Sequence, residues 1–470
     1  METIVKVRVY YEPNPNTSLF GRYVLALETP NSKVYKVRLK FDFDSLWHIA
    51  QDVTSPAFDF LVFSMAIYNA DRVVSRALYS TDGWNRRIRL TVPVLNLAEL
   101  NTGKDHFISA LNFLTGDDWD IEFIQAERYV LDRELALVDR NVYKKVSLFS
   151  GGLDSLIGFV DGCDELQKDE KILLVSHKEL GKEWGDQVRI LDDCKKHQIY
   201  SGRYEQVLIN AGINSQGWIG DRAVCEGTFR ARSILFFGAG LYCAHAIDAN
   251  MPLIVPENGT ISLNIPLDRG RRNACSTRTT HPVFLKRLQQ ALTDIGIQNQ
   301  LINPYQLKSK ADMVSDCCLK PTRKIALKTL YRDSCSCAKR SHKSSWIHKR
   351  DANNQPIRHC GFCLPCLYRR VSLASVGWEN KESYGINVFN SSELDIAHLQ
   401  GKKGRDFRAL LYFLKNRCNQ DTIEEELISN GVTDGKELEE YTEFVLHSYE
   451  QVKEWVRANG SARIKRMAGL

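Results

Sequence analysis

The residues best able to do chemistry lie in two short stretches. The first is Ser150-Gly151-Gly152-Leu153-Asp154-Ser155, set between the apolar runs "KVSLF" and "LIGFV". Adjacent glycines allow positive φ angles and a close backbone approach to a ligand. Successive N–H groups at a helix start favour an anion. Ser150 and Ser155 add hydroxyl donors. Asp154 would repel a phosphate unless it orients the loop or binds a magnesium ion that bridges the phosphates. The second stretch is "RHCGFCLPCLYRR", where Cys360, Cys363 and Cys366 are spaced C-x2-C-x2-C. Thiolates this close can share one ion, and zinc takes four ligands in a tetrahedron. The fourth is expected upstream in "RDSCSCAKRSH" as Cys335, with Cys337 the alternative; His342 and His359 are outer candidates. Buried free cysteines and an iron–sulfur cluster are the competing accounts, because spacing alone does not fix the metal.

The elements around these stretches read as α/β. From Lys144 onward, the apolar β-type runs "KVSLF", "KILLVSH", "EQVLINA", "PLIVPEN" and "QLINPY" alternate with helical stretches at 153–160, 184–196, 228–249 and 282–295. Strands separated by single helices predict a parallel, doubly wound sheet whose ligands gather at the carboxyl ends of the strands. That places the glycine loop after the first of these strands, His177 after the second, and Glu257 with Asn258 after the fourth. For His177 a structural role competes equally with a ligand role. Residues 1–140 read as an N-terminal α+β domain of β-rich runs ("VKVRVYY", "YVLALET", "VYKVRLKF", "RIRLTVPV", "WDIEFIQ") around a buried helix in "PAFDFLVFSMAIYNADRVVSRAL". Residues 141–390 form the α/β domain with the cysteine-bearing segment, and 391–470 a helical C-terminal region.

Composition sets the outer limits. The chain has 470 residues, of which 43% are hydrophobic and 26% charged, as in ordinary soluble globular proteins. The N-terminus lacks a basic region followed by an apolar core, so a cytoplasmic location is expected. In that reducing setting thirteen cysteines suggest metal or catalysis rather than disulfides. A net charge of +6 permits contact with nucleic acid but does not indicate it.

The complete Ser-Gly-Gly-Leu-Asp-Ser between strand and helix resembles the pyrophosphate loop of the ATP pyrophosphatase (PP-loop) family, and no Gly-Lys-Ser/Thr follows to make a Walker A loop. Together with the cysteines, "EGTFRARSILFFGAGLYCA" and "INPYQLKSKADMVSD", it resembles the 7-cyano-7-deazaguanine synthase (QueC) family over Lys144 to Arg370. The resemblance implies a PP-loop ATPase fold of the adenine nucleotide alpha hydrolase (HUP) type, with ATP, Mg2+ and Zn2+ bound. It implies adenylation of the carboxylate of 7-carboxy-7-deazaguanine with release of pyrophosphate. Ser150, Gly151, Gly152, Leu153, Asp154 and Ser155 would hold pyrophosphate and metal, and Thr228, Phe229 and Arg232 match the family's Thr-Phe…Arg helix. Arg232 would neutralise phosphate charge or be a plain surface arginine. Arg278, Thr280 and His281 could contact the nucleobase, or "TTHP" could be a helix N-cap followed by proline.

The chain also departs from that family. It carries an extra N-terminal region, and 24 residues separate Cys335 from Cys360. "SHKELGKEWGDQ" and "NIPLDRGRRNACSTRTTHP" replace family segments. This longer form is similar to the QueC-like proteins of bacterial anti-phage systems, the Qat system and type IV CBASS. The implied acceptor there is an amine on a partner protein from the same operon; in the biosynthetic enzymes it is ammonia, and the amide is then dehydrated to a nitrile. Two other classes compete: a tRNA-modifying PP-loop enzyme with a reactive cysteine, and a non-catalytic zinc scaffold.

Overall fold

The computed structural model describes residues 4–12, 23–42, 44–127, 136–178, 181–268, 278–395 and 403–470. The ten strands among them are β1 (Ile4–Tyr11), β2 (Tyr23–Glu28), β3 (Val34–Asp42), β4 (Arg87–Val94), β5 (Asp118–Gln125), β6 (Tyr143–Leu148), β7 (Lys171–His177), β8 (Tyr204–Ile219), β9 (Leu253–Ile254) and β10 (Leu301–Ile302). They form a single sheet in the order β10-β9-β6-β7-β8-β3-β2-β1-β4-β5. From β10 to β8 every pairing is parallel. Numbered within that half, the order is 5-4-1-2-3, a doubly wound arrangement whose direction reverses between β6 and β9. A crevice opens at such a reversal, outside the carboxyl ends of the strands.

The N-terminal strands are not a second sheet. β3 pairs antiparallel with β8, matching Leu39 to Ile213 and Asp42 to Asn210, with a register shift between Val37 and Leu39. β2 and β1 continue antiparallel, and β4 and β5 run parallel to β1. β8 makes this possible by running 16 residues, well beyond the apolar "EQVLINA". Its first half belongs to the parallel layer and its second half to the seam with β3.

Helices cover the sheet. Pro56–Val73 is apolar almost all round and accordingly buried on nearly every side. Its start is set by Ser55, whose hydroxyl accepts from the Phe58 N–H at 3.4 Å, and by Pro56 in the first turn. The helix Arg232–Ile247 packs beside it, and both lie in one core with the strands. A second core joins the cysteine segment to the C-terminal helices Arg405–Asn416, Gln420–Ser429 and Gly435–Asn459.

A buried ionic knot ties the N-terminal region to the chain leading into the Arg232 helix. Arg86 is fully buried and meets Asp71 at 2.5 Å and Asp117 at 2.6 Å. Asp117 also accepts from Arg76 at 2.5 and 2.8 Å. Asp71 reaches out to accept the Ala231 N–H at 3.1 Å, and the Arg76 N–H donates to Glu226 at 2.7 Å. Residues 226–231 are thereby held from the N-terminal side.

Candidate functional site

The glycine loop follows β6 at the reversal point of the sheet. Gly151 sits at φ +79°, a region open to glycine at little cost, and an added Cβ would press on Gln187 at 3.2 Å. The Leu153–Asp164 helix then begins, with Gly152 as its N-cap. Gly158 lets that helix lie against the chain after β9: a Cβ there would fall 2.6 Å from Pro256 Cγ. This close approach brings Asp154, in the first turn, up to the β9 end of the crevice.

Asp154 is the hub of a buried cluster. It accepts from the Asn258 side-chain amide at 2.7 Å and forms an ion pair with Lys310, both partners being almost fully buried. Asn258 also touches Glu257 Oε1 at 3.0 Å and caps the short Gly259–Leu263 helix by accepting from Ile261 N–H at 3.1 Å. Lys310 opens the helix Lys310–Cys317, whose start is fixed by a reciprocal capping box between Ser309 and Asp312. Burial pushes the Glu257 carboxyl well above its usual range, and the neighbouring Asp154 charge adds to that push. Burial also raises Asp154, but the Lys310 charge and hydrogen bonds from Glu257, Lys310 and Asn258 outweigh it and hold its carboxylate low. Glu257 is therefore the protonated member and Asp154 the charged one.

A cleft of about 480 Å³ opens over this cluster. Its polar wall carries Ser150, Gly152, Ser155, Glu257 and Lys310; Arg232 stands at another side, and Phe229, Phe236 and Phe237 supply apolar surface. Ser150 and Ser155 hydroxyls lie 3.2 Å apart, and the Gly152 N–H donates to Ser150 at 3.3 Å. Backbone donors, the Ser150 and Ser155 hydroxyls and the cations of Arg232, Lys310 and Arg340 around an apolar-backed hollow suit a phosphorylated ligand with a flat ring.

The predicted residues divide on their positions. Ser150, Gly152 and Ser155 of the loop, with Phe229, Arg232, Glu257 and Thr280, line the cleft, whereas Gly151, Leu153 and Asp154 stay out of its wall. Thr228 stands beside it but turns to Glu226, its hydroxyl donating at 3.1 Å. His177 is buried between Tyr68 and Phe236 and bonds the Ala211 carbonyl at 2.9 Å, outside the cleft wall. Burial, with the charges of Arg232 and Arg72, lowers it to about 4, so it stays neutral. His281 is the N-cap of Pro282–Asp294, accepting from Val283 N–H at 3.2 Å, as the helix-start account of "TTHP" requires. Burial, with Arg278 and Arg287, takes it to about 3. Arg278 faces Phe113 and Asn430 instead of the cleft. Of the replaced segments, 269–277 in "NIPLDRGRRNACSTRTTHP" and 179–180 in "SHKELGKEWGDQ" lie outside the described residues.

The metal group corrects one preference. Cys337, not Cys335, joins Cys360, Cys363 and Cys366; all four are buried, with Sγ atoms within 4.8 Å of one another. Zn–S bonds of about 2.3 Å imply tetrahedral S···S edges of about 3.8 Å, and Cys360 Sγ stands 3.8 Å from Cys366 Sγ. Backbone N–H groups of Cys360, Phe362 and Cys363 point at ligand sulfurs at 3.3–3.4 Å, which steadies thiolate charge. The donor set therefore fits zinc. Cys335 is excluded by its backbone, which is committed to the glycine loop, while its Sγ faces the Arg358 carbonyl at 3.8 Å. His342 and His359 are not in the set either.

Three charged residues of the cleft escaped the sequence reading, Lys310, Asp186 and Arg340, as did uncharged ones such as Ser336 and Phe236. Asp186, nearly fully buried, is ion-paired with both Arg189 and Arg340. The Ser309-x-x-Asp312 capping signal marked where Lys310 would begin a helix, though nothing local showed that it would reach Asp154.

Fold and site together define a mixed α/β protein with a mostly parallel sheet, a glycine-loop cleft at the strand reversal and a buried four-cysteine group that could bind zinc. Among the described residues no helix is long and apolar enough to cross a membrane. Compared with known proteins, the chain matches no family model, no curated protein and no solved structure.

Proposed function

We propose that this chain is an ATP-dependent ligase of the PP-loop type. It adenylates the carboxylate of a 7-deazaguanine nucleobase, releases pyrophosphate, and passes the acyl group to an amine. The observation that carries the reading is the Ser150–Ser155 loop opening, at the β6/β9 reversal, into one cleft with Arg232 and Lys310. Donors of the loop suit the dense charge of a pyrophosphate, and the two cations suit charge that builds as the bond between the α and β phosphates breaks. The phenylalanine wall suits a flat heterocycle. The nucleobase, the partner-protein acceptor and the anti-phage setting come from the family resemblance, as does magnesium. Asp154 and Glu257, linked through Asn258, are the carboxylates that could hold that ion. Binding it there requires Glu257 to lose its proton and Lys310 to yield its hold on Asp154.

The test is to incubate the protein with ATP, Mg2+ and 7-carboxy-7-deazaguanine, and to measure AMP, pyrophosphate and product mass with either ammonia or a neighbour-encoded protein as acceptor. Substrate-dependent AMP from wild type but not from Asp154→Ala supports the reading. No substrate-dependent AMP from either leaves the scaffold account standing. Mass on the partner protein selects protein conjugation, and a free amide or nitrile selects the ammonia-using synthase.

One observation favours a second reading. Cys335 stands outside the metal group and lines the cleft beside the loop, where a thiolating, tRNA-modifying enzyme would want its reactive sulfur. Burial raises its thiol, which opposes thiolate chemistry. Alkylation of Cys335 that spares the metal yet abolishes turnover would transfer the assignment to that class.

A further inference from the structure

Residues 335–340 form a strap between the four-cysteine group and the glycine loop, with polar links to both. The Cys335 N–H donates to the Gly151 carbonyl at 2.9 Å. The Ser336 hydroxyl accepts from Leu153 N–H at 3.4 Å, and the Ser336 N–H donates to His359 at 3.5 Å. Cys337 supplies a sulfur to the metal group. Arg340 forms an ion pair with Asp186 on the far side of the loop. Cys335, Ser336 and Arg340 line the same cleft as Ser150, Gly152 and Ser155.

The bond to Gly151 matters because of peptide geometry. In a trans peptide the carbonyl of one residue and the N–H of the next point in opposite directions. Holding the Gly151 carbonyl toward the strap therefore aims the Gly152 N–H the other way, onto Ser150 Oγ at 3.3 Å. A Gly-Gly peptide released from that bond can rotate, since glycine has little conformational preference of its own. The Ser336 contact at 3.4 Å is at the long end for a hydrogen bond, so an incoming oxygen can displace it cheaply.

We infer that Ser336 and Arg340 are anion-binding residues, and that metal in the four-cysteine group and anion in the glycine loop bind with positive linkage, because the strap fixed by Cys337 orients the Gly151–Gly152 peptide. The inference rests on the phosphate-loop reading above and adds that the metal acts on ligand affinity, beyond holding the fold together. Linkage of this kind is reciprocal, and couplings run from about fivefold to 150-fold.

The probe is inorganic pyrophosphate, titrated calorimetrically into the full-length zinc-loaded protein and into protein stripped by a chelator that is then removed. Circular dichroism and a melting curve on both samples report whether the stripped protein is folded. The expected result is pyrophosphate binding to loaded protein and at least about fivefold weaker binding to folded, stripped protein. Equal affinity in the two folded forms overturns the linkage while leaving the phosphate loop intact. No pyrophosphate binding to loaded protein overturns both.

Where stripping unfolds the chain, zinc-loaded Arg340→Gln and Ser336→Ala decide. Both are expected to keep one zinc per chain, with pyrophosphate affinity several-fold lower for Arg340→Gln and smaller but measurable loss for Ser336→Ala. Unchanged affinity in both variants overturns the assignment.

Discussion

Glu257→Gln isolates one proton. In the folded protein Glu257 is buried beside Asp154 and protonated, with its carboxyl held well above the ordinary value of 4.5. Unfolding releases it to water, where it ionises. A carboxyl raised on folding contributes stability that is complete below its unfolded value and is lost as pH rises toward its folded value. Between its unfolded and its folded value wild type therefore loses stability through this group as pH rises. Glutamine carries no such proton. Its amide can donate where the protonated carboxyl donates to Asp154, and its oxygen can accept from Asn258 Nδ2 as Glu257 Oε1 does at 3.0 Å. The stability of Glu257→Gln relative to wild type should therefore rise between pH 5.5 and 6.5, by about 1 kcal/mol at most. Asp154 is ionised throughout that window because its carboxylate is held low, so it contributes no slope of its own. Urea unfolding of both proteins at pH 5.5, 6.0 and 6.5 reads the difference directly. Parallel pH dependence would show that Glu257 is charged in the folded state, and would refute the assignment of the proton in the cluster.

Two further outcomes test other parts of the molecule. Cys337→Ser should purify with markedly less zinc, whereas Cys335→Ser should keep about one zinc per chain; elemental analysis separates them, and the reverse pattern would restore Cys335 as ligand. Arg86→Met should destabilise by about 3–5 kcal/mol, since it leaves two buried carboxylates, Asp71 and Asp117, with Arg76 as their one remaining arginine partner in the knot. Denaturant titration measures that loss, and a cost below about 1 kcal/mol would show that the knot is dispensable to stability.

Much of the strand pattern was legible because alternation and β-branched runs mark strands locally. "VKVRVYY", "RIRLTVPV" and "KILLVSH" all became strands close to where their patterns lie. β9 and β10 shrank to two residues each, since "PLIVPEN" and "QLINPY" both run quickly into proline. The β3–β8 seam was illegible: an antiparallel pairing between segments so distant in the chain leaves no local periodicity. At the site, the glycine loop announced itself through residue type and context. Choosing between Cys335 and Cys337 could not be done from spacing, because one residue separates them from their neighbours equally well. The choice follows from which backbone N–H the loop captures. Lys310 stayed hidden for the same reason as the seam, its partner lying 156 residues earlier.

The seam has a consequence for how the chain is made. β3 leaves the ribosome with one edge unpaired, and its partner Ile213 follows Leu39 by 213 − 39 = 174 residues. At about 5–20 residues per second that is a wait of roughly 9–35 s during synthesis. An open strand edge is an invitation to pair with another nascent chain. β3 spends that interval with Lys36, Arg38 and Lys40 at alternate positions along one face. Three like charges in a row repel a second copy of themselves, so the same residues that border the finished seam can guard it while it is being born.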